Sequence, residues 1–184
     1  MTRRYVAAIS ALALLALCTR SEPSHARETR SESGLKAAFL YRFASLTRWP
    51  ESSFAGRDSP IRFGVVGDTE ITRALGEATA GKQVRGRPVE VVAVDSWAPG
   101  QDIHVMFLSN AGSRASTLHD LEARPILTVG DSNDFVKRGG MIQLQSRGKR
   151  LAFSINRAAA KRAGLRIDPK LLRLAVEVVD DVSQ

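Results

Sequence analysis

The chain has 184 residues, with 27 Lys and Arg against 19 Asp and Glu and a formal net charge of +8. Its one cysteine, Cys18, excludes any disulfide within the chain. The positive balance leaves nucleic acid, anionic lipid and acidic protein surfaces open as partners.

Arg3 and Arg4 precede Val6 to Cys18, an apolar run broken only by Ser10. A helix needs about 20 apolar residues to span a bilayer, and this run is shorter. It fits the apolar stretch of a secretory signal peptide. Ser24-His25-Ala26 places small residues at the −3 and −1 positions, so cleavage is expected after Ala26 and residues 1–26 form the signal peptide. Leu15-Ala16-Leu17-Cys18 loosely resembles a lipidation box. Leu17 is too large for the residue before a lipidated cysteine, so modification at Cys18 is not expected.

Removing residues 1–26 leaves 158 residues, enough for one domain with its own core, and takes Cys18 away. No thiol nucleophile or thiol switch then remains, and stability must come from packing and hydrogen bonds. The mature chain carries 24 basic and 18 acidic residues, a charge of +6. Mild clusters fall at Arg147/Lys149/Arg150 and Arg157/Lys161/Arg162/Arg166, with only Phe153 nearby. Base-stacking aromatics are not interleaved with the cations, so nucleic acid is not an expected partner.

A helix is expected from Gly34 to Trp49, with Leu35, Phe39, Phe43 and Leu46 on one stripe and Pro50 ending it. Ile61 to Val66 reads as a buried strand. Asp68 or Thr69 caps a helix to about Ala80, stopped by Gly81. Val89 to Val94 and Ile103 to Leu108 are compatible with buried strands. A short helix from Ser113 to Glu122 follows, then a strand from Ile126 to Val129, and Ser132 opens a single turn through Arg138. Met141 to Gln145 and Arg150 to Ile155 flank Ser146-Arg147-Gly148-Lys149, a hairpin signal. Asn156 caps a helix through Ala163, closed by Gly164. Asp168 caps the last, with Pro169 at its first position. The fold class is α/β: a single domain over residues 34–180, with a mixed, mostly parallel sheet flanked by helices, a C-terminal β-hairpin and two short helices.

Chemistry is sparse. His104 lies inside an apolar strand and reads as a satisfied core or edge histidine, and His119 lies on a polar helix. There is no G-x-S-x-G, no H-E-x-x-H and no glycine-rich phosphate loop. No catalytic residue, metal or cofactor is assigned, and the chain is expected to bind rather than to catalyse. Two surfaces are candidates. Gly67-Asp68, Ser109-Asn110 and Gly130-Asp131 follow three strands. If those strands are parallel, Asp68, Asn110 and Asp131 meet on the rim where open α/β sheets bind ligands; ordinary capping is the alternative. Tyr41, Arg42, Arg48 and Trp49 lie off the apolar stripe of the first helix. Such residue types anchor interfaces, although Trp49 equally suits packing over the sheet.

Leu35-Lys36-Ala37-Ala38-Phe39-Leu40-Tyr41-Arg42-Phe43 with Trp49-Pro50 resembles the opening of the YfiR/HmsC family of periplasmic regulators. The resemblance continues at Ile61 to Gly67, at Leu127 to Asp131 with Phe135, and at Arg138-Gly139-Gly140-Met141-Ile142. It extends through Phe153-Ser154-Ile155-Asn156, Lys161 to Leu165 and Leu171 to Ala175, spanning roughly residues 34 to 176 in order. It implies a small exported α/β protein that forms homodimers. Such a protein restrains an inner-membrane diguanylate cyclase by binding its periplasmic domain, lowering cyclic-di-GMP and biofilm formation. It also implies an outer-membrane partner able to sequester the regulator. The better-known members carry paired cysteines that this mature chain lacks, so redox control does not carry over. The competing class is a periplasmic small-solute-binding protein feeding an envelope transporter or sensor, supported by the polar rim. An envelope hydrolase has no motif behind it.

Overall fold

The computed structural model describes residues 24–180, apart from Ala111 and Lys149. Of the signal peptide expected over residues 1–26, the part up to Pro23, with Cys18, lies outside the described residues. The expected cleavage site falls in the first turn of the first helix, α1 (Ser24–Ser45).

The elements then run β1 (Thr47–Arg48), a 3-10 turn (Glu51–Ser53), β2 (Ile61–Val66), α2 (Thr69–Thr79), β3 (Gln83–Val84) and β4 (Arg87–Val94). They continue with β5 (Val105–Leu108), α3 (Ala115–Leu121), β6 (Leu127–Gly130), β7 (Ile142–Arg147) and β8 (Arg150–Asn156). The chain closes with α4 (Arg157–Arg162), β9 (Arg166–Ile167), α5 (Pro169–Leu172) and β10 (Glu177–Val179). One sheet has the order β10-β8-β7-β6-β5-β2-β4-β3, and β1 and β9 form a separate two-stranded ribbon. The strands from β4 across to β7 are mutually parallel; the β7–β8 hairpin is antiparallel. The architecture is the expected mixed α/β domain.

Side-chain alternation along β5 explains the layers. Val105 and Phe107 join a larger core with residues of α1, α2 and α4, while Met106 and Leu108 join a smaller one with Leu118 and Leu121 of α3. Successive residues of a strand point to opposite faces, so an apolar run needs cover on both sides. β4 differs from the expected buried strand: its residues alternate between half-buried and exposed up to Val91, and only Val94 is buried. Its outer neighbour is the two-residue β3, which leaves it near the open margin of the sheet.

The first helix also departs from its expected bounds. It stops at Ser45, four residues short of Trp49, because Thr47 and Arg48 pair with Ile167 and Arg166 instead. The Thr47 hydroxyl donates to the Phe43 carbonyl, using one of the free acceptors at the helix end. Its buried face is Ala37, Leu40, Phe43 and Ala44; Phe39 and Leu46 pack at the margin, and Leu35 is exposed. Phe153 of the hairpin meets Phe43 edge-on at 5.0 Å between ring centres and Phe39 at 6.0 Å, which pins α1 to the sheet.

The turn chemistry follows the expected residues. Asp68, Asn156 and Asp168 each accept a backbone N–H in the first turn of their helices. Gly164 has φ of +72°, the left-handed geometry that ends α4.

Candidate functional site

The first-helix exit does not present its four candidate residues as one surface. Trp49 is 9% exposed, so it takes the core alternative. Its indole N–H donates to the His104 carbonyl at 3.2 Å. Tyr41 is half-buried and tied down: its hydroxyl donates to the Gln83 carbonyl at 3.0 Å, and Lys82 Nζ sits 5.0 Å from its ring centre. Arg42 and Arg48 remain exposed. The β1–β9 register sets Arg48 directly opposite Arg166, two like charges side by side on the ribbon.

His104 lies beneath this exit, 2% exposed. Its Nδ1 accepts the Arg62 amide at 3.2 Å, and its Nε2 bonds the Ser53 carbonyl at 3.0 Å. A carbonyl only accepts, so Nε2 carries the proton and the ring is neutral. Burial pushes its pKa below the usual histidine value; the Ser53 bond and Asp102 pull the other way. Phe54 stacks on the imidazole at 4.7 Å, and the Arg87 guanidinium lies 3.7 Å from the Phe54 ring centre. The ring is a structural clip joining the 3-10 turn to β2 and β5. His119 is on the surface, 3.8 Å from Glu122.

The rim residues do converge on one edge, because β2, β5 and β6 are adjacent and parallel. Their situations differ. The Asp68 carboxylate is committed to the Ile71 amide at 2.8 Å. Asn110 is exposed. Asp131 binds Lys36 at 2.8 Å, and Lys36 also reaches Glu32 at 3.0 Å. Burial weakens the Lys36 charge, but these two carboxylates outweigh it and its pKa rises. The Oδ1 atom of Asp131 is buried without a partner among the described residues.

A crevice of about 240 Å³ opens on that rim, lined by other residues: Val66, Asp95, Ser96, Trp97, Arg114 and Thr117 among them. It lies where the chain passes from β2 outward to β4 on one side and β5 outward to β6 on the other. That reversal leaves a cleft beyond the strand ends, the usual ligand position in open α/β sheets. Trp97 Nε1 and Ser109 Oγ are buried in this region with no partner among the described residues. Sequence reasoning missed Trp97 and Arg114. The one available signal was Trp97 following the apolar run of β4, and it has no partner that spacing reveals.

Residues 33–176 match the family model described as YfiR/HmsC-like. Among solved structures, a conserved domain protein from Vibrio cholerae O1 biovar El Tor superposes with a TM-score of 0.51 at 12% identity, covering 79% of this chain and 60% of that one. An ABC domain from Streptococcus pneumoniae, solved in complex with L-Trp, gives 0.50 at 12% identity, covering 76% and 62%. The chain therefore spans about three fifths of the length of these two neighbours, and the likeness is one of fold.

Proposed function

Because the chain belongs to the YfiR/HmsC-like family, we propose that it is an exported regulator of cyclic-di-GMP signalling that restrains a membrane-bound diguanylate cyclase. Restraint operates through binding of the cyclase's periplasmic domain, which lowers cyclic-di-GMP and biofilm formation. The observation that carries this reading is the family match over residues 33–176, which spans the buried apolar core from Ala37 to Leu171. Export through residues 1–26, homodimerisation and sequestration by an outer-membrane partner belong to the same proposal. Inhibition by binding needs a surface with a few anchoring side chains, not a set of reacting groups. Arg48, exposed on the β1–β9 ribbon, is the first such residue. A protein of positive net charge also meets an acidic receptor domain quickly at low salt.

The test is cellular cyclic-di-GMP in a strain lacking the gene, complemented with the full chain or with residues 27–184. A rise on deletion that only the full chain reverses supports restraint from the periplasm. Unchanged levels on deletion overturn it.

A second reading is favoured by the rim crevice and the indole N–H of Trp97 in its lining, unpartnered among the described residues: the protein binds a small solute for an envelope transporter or sensor. A thermal-shift screen against metabolites checks it, since a ligand well above its dissociation constant raises the melting temperature. A raised transition that Arg114→Ala abolishes supports solute binding in this crevice.

A further inference from the structure

We infer that the face built by α4, β9 and α5 is a docking groove for an acidic, extended segment of the partner protein, with an apolar side chain of that segment seated on its floor. This deepens the partner-binding reading and rests on it. The groove measures about 480 Å³. Its floor is Ala158, Leu165, Ile167 and Leu172, with Lys161 and Arg166 beside them. Local geometry makes the concavity. The left-handed Gly164 reverses the chain out of α4, and the Leu165 amide returns to the Ala160 carbonyl at 2.9 Å. Leu165 is thereby drawn in to 4% exposure while the flanking cations stay in solvent.

The charge on this face is strongly one-sided. Residues 157–173 contain six basic residues and one acidic one, Asp168, and the groove lining itself holds Arg157, Lys161 and Arg166 against Asp180. The Asp168 carboxylate is occupied by the Lys170 amide at 2.8 Å. Arg157 is held by Asp180 at 2.5 Å, and Arg162 leans to Glu122 at 3.5 Å. Lys161, Arg166, Lys170 and Arg173 have no carboxylate partner among the described residues. Arg48 adds a further cation opposite Arg166, and like charges directly across a strand pair repel. A segment bearing carboxylates would relieve that repulsion on binding.

Two features favour an extended polypeptide over a lipid surface. The floor is recessed, whereas a bilayer takes up apolar side chains that protrude. The sheet also ends nearby at β10, whose outer edge pairs with no strand among the described residues, with Leu174 66% and Val176 52% exposed just before it. An open edge offers main-chain donors and acceptors to an incoming strand.

The probe is a fluorescein-labelled peptide of alternating Glu and Leu, titrated against the mature chain by anisotropy. Its Lys-for-Glu counterpart and phosphatidylglycerol vesicles are the controls. Binding of the acidic peptide alone is expected, weakened about tenfold or more by the Lys161→Glu/Arg166→Glu pair and by added salt. Arg73→Glu on α2, a charge reversal elsewhere, should leave it unchanged. Vesicle binding without peptide binding would overturn the assignment in favour of a membrane surface, and equal binding of both peptides would overturn its charge basis. In cells, a paired variant that melts like the wild type yet still lowers cyclic-di-GMP would remove the groove as the cyclase interface while leaving the proposed function standing. Failure of the wild-type chain to lower cyclic-di-GMP would instead remove that function.

Discussion

The indole N–H of Trp49 and the backbone amide of Leu127 donate to the same acceptor, the carbonyl oxygen of His104, at 3.2 and 2.8 Å. The exit of the first helix is thus bonded to the start of the central strand, and Trp49 works from inside the core. Trp49→Ala should cost about 3–5 kcal/mol, the range for removing a buried large aromatic. Trp49→Phe keeps most of the packing and leaves the carbonyl satisfied by Leu127, so its cost should fall to about 1 kcal/mol. Urea midpoints of the two variants check this. Trp49→Phe should retain restraint of cyclic-di-GMP, whereas Arg48→Glu should lose it without any fall in midpoint, because it sets an opposite charge across from Arg166.

Stability should depend on His104 as pH falls. The buried ring has its pKa depressed below the ordinary value of 6.5, so the unfolded chain binds the proton more readily. The stability from the neutral ring is therefore present above about pH 6.5 and lost as pH drops toward the folded-state value. The charged groups around it are Asp102, Arg62 and Arg87. Melting temperature recorded from pH 7.5 to 5 should decline in the wild type and flatten in His104→Gln, whose amide can accept from Arg62 and donate to Ser53. An equal decline in both proteins would show that other groups carry the dependence.

Gly164 should resist replacement for a backbone reason. A Cβ there would lie 3.6 Å from Pro50 Cγ, an ordinary contact, but φ of +72° is strained for any side-chain-bearing residue. Gly164→Ala should cost about 1–2 kcal/mol and Gly164→Val more, while Gly164→Asn recovers part of the loss. Chemical denaturation of the three variants gives the order. Equal stability of all three with the wild type would refute it.

Phe135 is fully buried between two glycines. A Cβ on Gly140 would come 2.2 Å from its Cε1, and one on Gly130 would come 2.4 Å from its Cε2. Gly140→Ala should destabilise by about 1–3 kcal/mol through overpacking. Shrinking the ring with Phe135→Leu should make the added methyl cheaper, so the double mutant costs less than the sum of the singles. Strict additivity in a double-mutant cycle would show that the Gly140→Ala cost does not come from contact with the ring.

Much of the fold was legible because its signals are local. Asp68, Asn156 and Asp168 cap helices where short polar side chains precede helical stretches, and Gly148 marks the hairpin turn. The candidate sites were less legible. The rim edge followed from parallel strands, but its crevice is lined by Trp97 and Arg114 instead of Asp68 and Asn110. Capping had already used the Asp68 carboxylate, a competition that position along the chain does not reveal.

By itself, the sequence determined the longer helices and strands and the family, since apolar period, caps and block order are properties of neighbouring residues; the short strands β1, β3, β9 and β10 had no counterpart in it. Tertiary structure decided the end of the first helix, the burial of Trp49 and His104, and the meeting of Arg48 with Arg166. Those outcomes depend on pairing between segments more than a hundred residues apart, as in Thr47 with Ile167, or on space left by the packed sheet. Whether a tryptophan becomes an anchor or core depends on which strand lies beneath it, and only the folded chain supplies that strand.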